Sequence, residues 1–131
     1  MQGRREARER ALELLYEAET KQTTCAAIVE ALPVAPDSYS TDLATGVDDD
    51  RAAIDSMIGE NAKGWTLERM PAIDRAVLRM ATYELLHRSE VPVAVVISEA
   101  VELAQQFSTD ESGRFVNGLL SAIAKQTRSD D

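Results

Sequence analysis

The sequence predicts an all-α protein, and three observations support that class. Alanine and leucine are plentiful, whereas aromatic residues make up only 5% of the 131 residues, a composition that favours helices. Apolar residues recur at three- and four-residue steps along most of the chain. No segment shows a clear strand pattern. Six helices and one helical turn account for the pattern, and at this length we expect a single domain over residues 1–131.

The clearest pattern is a pair of helices between residues 71 and 107. Pro71 and Pro92 each open a helix, at a position where the missing N–H has no helical partner. A short break at residues 89–91 separates the two helices, so we expect them to pack antiparallel with their apolar stripes facing each other. The predicted stripes are Ile73, Ala76, Val77, Met80 and Ala81 in the first helix, and Val93, Val96, Ile97, Ala100, Leu103, Ala104 and Phe107 in the second.

A helix over about residues 4–20 carries most of the positive charge near the start of the chain. Arg4, Arg5 and Arg8 lie in its first turns, where the helix dipole adds to their field. A phosphate there would meet guanidinium groups and free backbone N–H groups together. The alternative is a solvated charged face, in which nearby glutamates offset the arginines. The predicted buried stripe of this helix is Ala7, Ala11, Leu14, Leu15 and Ala18.

Three further helices are predicted from capping residues and apolar spacing. They are a short helix capped by Thr23 or Thr24 and ending near Leu32, a longer helix over about residues 39–62, and a last helix over about residues 114–125 capped by Ser112. A helical turn is expected over residues 67–70. On the last helix Phe115 lies at the edge of the apolar stripe, so its spacing alone leaves core and surface both open.

Composition and charge narrow the class of function. The formal net charge is −9, which argues against a general nucleic-acid-binding surface. Residues 1–10 hold four arginines and two glutamates, a local balance of +2 that leaves −11 for the remainder. This asymmetry predicts one confined contact with an anion. A single cysteine, no signal-peptide pattern and no apolar run of the about 20 residues needed for a membrane span lead us to expect a cytoplasmic protein.

The search for chemistry finds no motif typical of an enzyme or a cofactor site. Neither phosphate-binding glycine spacing occurs. His87 and Cys25 are the only residues of their types, and nothing in the sequence supports a nucleophilic pair between them. The consecutive aspartates at 48–50 would diverge on a helix and could not bind one metal ion. We therefore expect a binding module with no cofactor and no metal.

Three stretches together give a more specific signal. They are RREARERALELLYEAE at residues 4–19, PAIDRAVLRMATYELLHRSEVPVAVVISEAVELAQQF at 71–107, and DESGRFVNGLL at 110–120. In combination they resemble the NusB family of bacterial transcription antitermination factors, densely over residues 65–120 and weakly over residues 22–61. The resemblance implies an all-α fold of two packed three-helix bundles, with about seven helices, and no catalysis.

The resemblance also implies partners and site residues. NusB-like proteins pair with NusE, a small-subunit ribosomal protein, and the pair binds boxA RNA. The pair then joins an antitermination complex on RNA polymerase during ribosomal RNA synthesis. The residues that match the family's sites are Arg4, Arg5, Arg8 and Arg114 for RNA, and Tyr16, Asp74, Glu111 and Phe115 for the protein partner. Family members occur as monomers and as homodimers, so the oligomeric state stays open.

Two positions depart from the family pattern, and two other functions remain open. Ser98 stands where an asparagine or aspartate is common in the family. Gly113 stands where a bulkier residue or proline is expected. The first alternative is the NusB-like domain of a cytosine-5 ribosomal RNA methyltransferase, which would continue into a cofactor-binding domain. The second is an acidic helical adaptor without RNA binding, which an assay with boxA-like RNA would distinguish.

Overall fold

The computed structural model describes residues 3–128, and in that range it contains seven α-helices, one short 3-10 helix and no strand. The helices are α1 Arg4–Lys21, α2 Cys25–Ala31, α3 Ser38–Asp49, α4 Arg51–Asn61, α5 Ala72–His87, α6 Val93–Phe107 and α7 Asp110–Thr127. The 3-10 helix, Leu67–Arg69, forms the predicted helical turn. The all-α prediction is confirmed.

The helices form two bundles that share a border along α5. Helices α1, α2 and α3 pack against one another, and α5, α6 and α7 form the second group. Helix α5 also packs against α1 and α3, and α4 connects α5 with α7. Val77, Leu78 and Met80 of α5 are accordingly buried. Within residues 3–128 no helix combines the length and the apolar character needed to cross a bilayer.

The predicted apolar stripes form most of the core. All five stripe residues of α1 are buried, as are most of those in α5 and α6. Phe107 differs from the prediction, because its side chain is 45% exposed. It is the last residue of α6, and its ring lies in a surface groove beside Tyr16 rather than between the helices.

The prediction of one helix over residues 39–62 is wrong, because the chain breaks at Asp50. This residue has φ −113° and ψ 21°, ends α3 and begins α4. Asp48 and Asp49 are the last residues of α3, and Asp50 lies at the N-terminal end of α4, where the helix dipole favours a negative charge. The aspartates diverge as predicted: Asp48 accepts from the backbone N–H of Cys25 at 2.6 Å, whereas Asp50 contacts His87 Nε2 at 2.8 Å.

The last helix also begins earlier than predicted. Thr109, rather than Ser112, is its cap and accepts a hydrogen bond from the backbone N–H of Ser112 at 3.0 Å. Gly113 therefore lies inside the first turns of α7. A Cβ atom there would stand 2.7 Å from Cγ of Gln105, so the glycine permits a close approach of α6 and α7.

Candidate RNA and partner interfaces

Arg8 is buried, whereas both sequence interpretations of the three arginines, a phosphate contact and a solvated face, require an exposed side chain; for Arg8 that prediction is wrong. Its side chain is 3% exposed and forms a fork with Glu84, donating from Nε to Oε1 at 2.9 Å and from Nη2 to Oε2 at 2.8 Å. The burial of both partners makes this pair part of the contact between α1 and α5. A nucleic acid would have to compete with a buried carboxylate for this guanidinium.

Arg4 remains at the surface and lies over an aromatic ring. Its Cζ atom is 3.9 Å from the centroid of Tyr39, and Cζ of Arg88 is 4.5 Å from the same centroid. Tyr39 is buried and donates its hydroxyl to Glu84 Oε2 at 2.5 Å. Burial raises the pKa of Tyr39 to about 12, so the phenol stays protonated and keeps this hydrogen bond at neutral pH. The Tyr39 ring thus makes cation–π contacts with both Arg4 and Arg88.

Arg5 points to a different helix. Its Nη2 donates to Glu99 Oε2 at 2.6 Å and also to Glu102 on the next turn of α6. The arginine is exposed, but two carboxylates already neutralise it. Arg4, Arg5 and Arg8 therefore do not form one free cluster: one stacks on Tyr39, one binds α6, and one is buried.

Arg114 is exposed at a groove between α6 and α7. Glu102 of α6 lines the same groove. The carboxylate that binds Arg5 is therefore part of the groove that contains Arg114. Ser98 and Gly113, the two positions that depart from the family pattern, also line this groove. Arg114 therefore lines the same groove as Glu102, which binds Arg5, whereas Arg4 does not line this groove.

Three of the four predicted partner-binding residues meet at one pocket. Asp74 at the start of α5 faces Glu111 and Phe115 from the first turns of α7. The pocket has a volume of about 180 Å³ and is mainly apolar. Trp65, from the segment before the 3-10 helix, completes its rim. The other lining residues are Met70, Pro71 and Ser112.

Asp74 is buried at the base of this pocket. Its side chain is 3% exposed, and Oδ2 accepts a hydrogen bond from Ser112 Oγ at 2.8 Å. Its other oxygen, Oδ1, has no hydrogen-bond partner within the described part of the chain. A buried carboxylate oxygen without a donor is costly, so a ligand that supplies an N–H or O–H group would be favoured here.

Phe115 lies between core and surface. Its ring is half-buried, packs on the edge of the core and makes a tilted contact with Trp65, with the ring centroids 6.0 Å apart. Trp65 is 51% exposed. The two rings give the pocket an aromatic wall, which is the kind of surface that anchors protein partners.

Tyr16 lies in a separate groove. Its side chain is 44% exposed and is grouped with Phe107 and Ile73. Ile73 precedes Asp74 on α5, so the Tyr16 groove and the Asp74 pocket adjoin the same first turn of that helix. The four predicted partner residues therefore belong to two depressions, each of which is lined by a residue from the first turn of α5.

Sequence reasoning missed Trp65, Phe107 and Arg88 as possible contact residues. Phe107 was assigned to the apolar stripe because its spacing fits, and only its place at the end of α6 exposes it. Trp65 follows Gly64, which has φ +81°, and lies outside any periodic segment. Trp65 is the only tryptophan in the sequence and follows a glycine, and this combination is the signal that could have identified it as a contact residue.

Cys25 and His87 do not act together. Burial raises the pKa of the Cys25 thiol to about 12, so it carries no useful thiolate at neutral pH. His87 contacts Asp50 and the ring of Tyr83, with ring centroids 4.8 Å apart. Among residues 3–128, no group of three or more potential ligand side chains is placed to hold a metal ion.

The fold and these surfaces define a class of helical bundle protein whose pockets and arginine-bearing helix end suit macromolecular partners. The NusB family model matches residues 5–125. A transcription antitermination protein NusB from Saccharopolyspora erythraea is 48% identical over 130 residues, which cover 95% of this chain and 88% of that relative. The chain belongs to the NusB family.

Solved structures of the same family share the fold. T. maritima NusB superposes with a TM-score of 0.85 at 35% identity, covering 95% of this chain and 92% of that one. A structure of the antitermination factors NusB and NusE in complex with double-stranded RNA matches with a TM-score of 0.81 at 25% identity, covering 94% of this chain and 96% of the other.

Proposed function

We propose that residues 1–131 form one RNA-binding domain that recognises boxA RNA together with NusE and acts in the antitermination complex on RNA polymerase during ribosomal RNA transcription. The observation that carries this proposal is the meeting of Asp74, Glu111 and Phe115 at one aromatic pocket, with Tyr16 in the adjoining groove. The related complex of NusB, NusE and RNA supports it. The role is one of binding in the cytoplasm and needs no catalytic group.

The charge distribution supports a small RNA contact that is completed by the partner. Arg4 and Arg5 are exposed at the start of α1, on a chain whose net charge is −9. We therefore expect weak binding of single-stranded boxA RNA by the chain alone and tighter binding with NusE. The salt dependence should be shallow, since each neutralised phosphate on a single strand contributes a slope of only about 0.7. A steep slope, or no gain on adding NusE, would contradict the proposal.

Removing both exposed arginines tests the RNA side. The double variant Arg4→Ala/Arg5→Ala is expected to weaken boxA binding by the NusE complex and to lower its salt slope by up to about 1.4, which corresponds to two phosphates. Melting should change little, because exposed ion pairs contribute about 0–1 kcal/mol. Arg10→Ala is the matched control, since Arg10 is on the same helix but pairs with Glu13 one turn on. Equal RNA affinity in the double variant and the control would remove this helix end from the interface.

Glu102 provides a test in the opposite direction. Its carboxylate and that of Glu99 hold Arg5, so a phosphate must displace them or share the guanidinium with them. Glu102→Gln is expected to raise RNA affinity, because it removes a competing negative charge from Arg5 and from the groove that contains Arg114. Fluorescence anisotropy with labelled boxA RNA at two salt concentrations measures this gain. Unchanged affinity in Glu102→Gln would place the RNA away from Arg5.

A further inference from the structure

The pocket at Asp74 has one wall that belongs to no long helix. Residues 62–71 connect α4 to α5 and contribute Trp65 and Met70 to the pocket. The only regular element in this segment is the three-residue 3-10 helix, and its cap residue Thr66 makes no side-chain capping bond. Short elements of this kind have little stability of their own, so contacts from neighbouring helices must fix their position.

Arg75 supplies such contacts from α5. Its Nη1 donates to the backbone carbonyl of Leu67 at 2.9 Å and to that of Met70 at 2.7 Å. Leu67 is the first residue of the 3-10 helix, and Met70 is the residue that follows its end. One guanidinium nitrogen therefore ties both ends of the turn to the first turns of α5, next to Asp74.

Glu19 of α1 holds Arg75 in that orientation. The Arg75 Nε donates to Glu19 Oε2 at 2.9 Å, and Nη2 donates to the other oxygen of the same carboxylate. The hydrogen bond from Arg75 lowers the pKa of Glu19, against the opposing effect of its partial burial. The carboxylate thus remains ionised at neutral pH and fixes the plane of the guanidinium.

The turn separates two depressions. Arg75, Glu19 and Trp65 line a groove on one side, and Trp65 also lines the Asp74 pocket on the other side. Asp74 and Arg75 are consecutive on α5, so one faces the pocket while its neighbour braces the wall from behind.

We propose that Arg75 is a positioning residue for the Asp74 pocket: it fixes the turn over residues 67–70, and thereby Trp65 and Met70, in the conformation that a protein partner binds. This inference rests on the proposed NusE site for the identity of the partner. The placement of the turn itself can be measured without any partner. Because Arg75 stands behind the wall, its effect on binding would pass through Trp65 rather than through direct contact.

The test compares Arg75→Ala with a matched control, Arg79→Ala. Arg79 lies one turn along α5, is similarly buried, and shares Glu19, but its remaining bonds go to Asp55 and not to the turn. Trp65 is the only tryptophan in the sequence, so its fluorescence reports on the turn alone. Time-resolved anisotropy of Trp65 measures the mobility of the wall, and calorimetric titration with NusE measures affinity.

The expected result is a more mobile Trp65 and a loss of about tenfold in NusE affinity for Arg75→Ala, within the range of changes that act through a neighbouring element. Arg79→Ala should leave both quantities near those of the parent chain, even where it lowers the melting temperature. Equal mobility of Trp65 in the two variants would overturn the inference, because both residues would then be merely structural.

Two further outcomes separate the inference from the proposed function. If the parent chain does not bind NusE, the proposed partner is wrong, yet the Trp65 comparison still decides whether Arg75 positions the wall. If Arg75→Ala does not fold, Arg75→Lys gives the same comparison, because lysine keeps the charge beside Glu19 but lacks the planar fork. An Arg75→Lys variant whose Trp65 is as rigid as in the parent chain would contradict the inference.

Discussion

Arg8→Ala is expected to destabilise the fold by about 3–5 kcal/mol, the range found when one member of a buried ion pair is removed. The substitution leaves Glu84 buried with only the Tyr39 hydroxyl, and the lost fork had connected α1 to α5. Chemical denaturation of the free protein measures the loss. Arg8 is thus expected to contribute to the stability of the bundle, and any effect on RNA binding should follow from that role.

Two variants separate this buried pair from ordinary surface charge. Arg10→Ala removes a partly exposed arginine on the same helix and should lower the stability only slightly. Arg8→Met combined with Glu84→Leu replaces both charges with apolar groups and should recover part of the loss, since no unpaired charge then remains buried. An Arg8→Ala protein as stable as Arg10→Ala would mean that the Arg8–Glu84 fork does not persist in solution.

Local periodicity was enough to predict the helical fold and most of its core. The α1 stripe from Ala7 to Ala18 is buried as predicted. Apolar residues spaced three and four positions apart lie on one face of a helix, and that face packs against the core. Thr24 caps α2 as one of the two predicted candidates, and its side chain accepts from the backbone N–H of Ala27. These features depend on residues within a few positions of one another.

The failures depend on contacts between distant parts of the chain. Arg8 has the sequence neighbourhood of an exposed arginine, and only Glu84, 76 positions away, makes its burial possible. Thr109 and Ser112 are equally good caps by residue type, but Thr109 caps α7, and Ser112 lies inside the helix and donates to the buried Asp74, 38 positions away. The sequence predicts that the last helix begins after Gly113, whereas Gly113 lies inside α7 and leaves room for the Gln105 side chain of α6.

The sequence named candidate partner residues but not their arrangement. The resemblance to the NusB family supplied Asp74, Glu111 and Phe115, and the structure places them around one pocket. The resemblance gave no indication that Asp74 would be buried with one oxygen that has no hydrogen-bond partner among residues 3–128, or that Trp65 would complete the wall. Those properties arise from the packing of α5, α7 and the connecting turn, which a linear pattern does not encode.

Phe115→Ala is expected to weaken NusE binding by about 2 kcal/mol or more, the loss typical of an aromatic anchor at the centre of an interface. The ring forms the pocket wall with Trp65 and stands beside Asp74, where a partner side chain would be enclosed. Because Phe115 is only half-buried, its removal should cost the free protein less than the about 3–5 kcal/mol of a fully buried phenylalanine. Calorimetric titration and denaturant unfolding measure the two quantities separately.

Val95→Ala provides the control for this comparison, because Val95 is an exposed apolar residue of α6 that does not line the pocket. It should leave NusE affinity unchanged and stability nearly so. A Phe115→Ala protein with normal affinity but a large loss of stability would assign the ring to the core and remove it from the interface. A loss of affinity that greatly exceeds the loss of stability would instead make Phe115 the aromatic anchor beside Asp74, since truncation of a ring that served only the core would lower stability first.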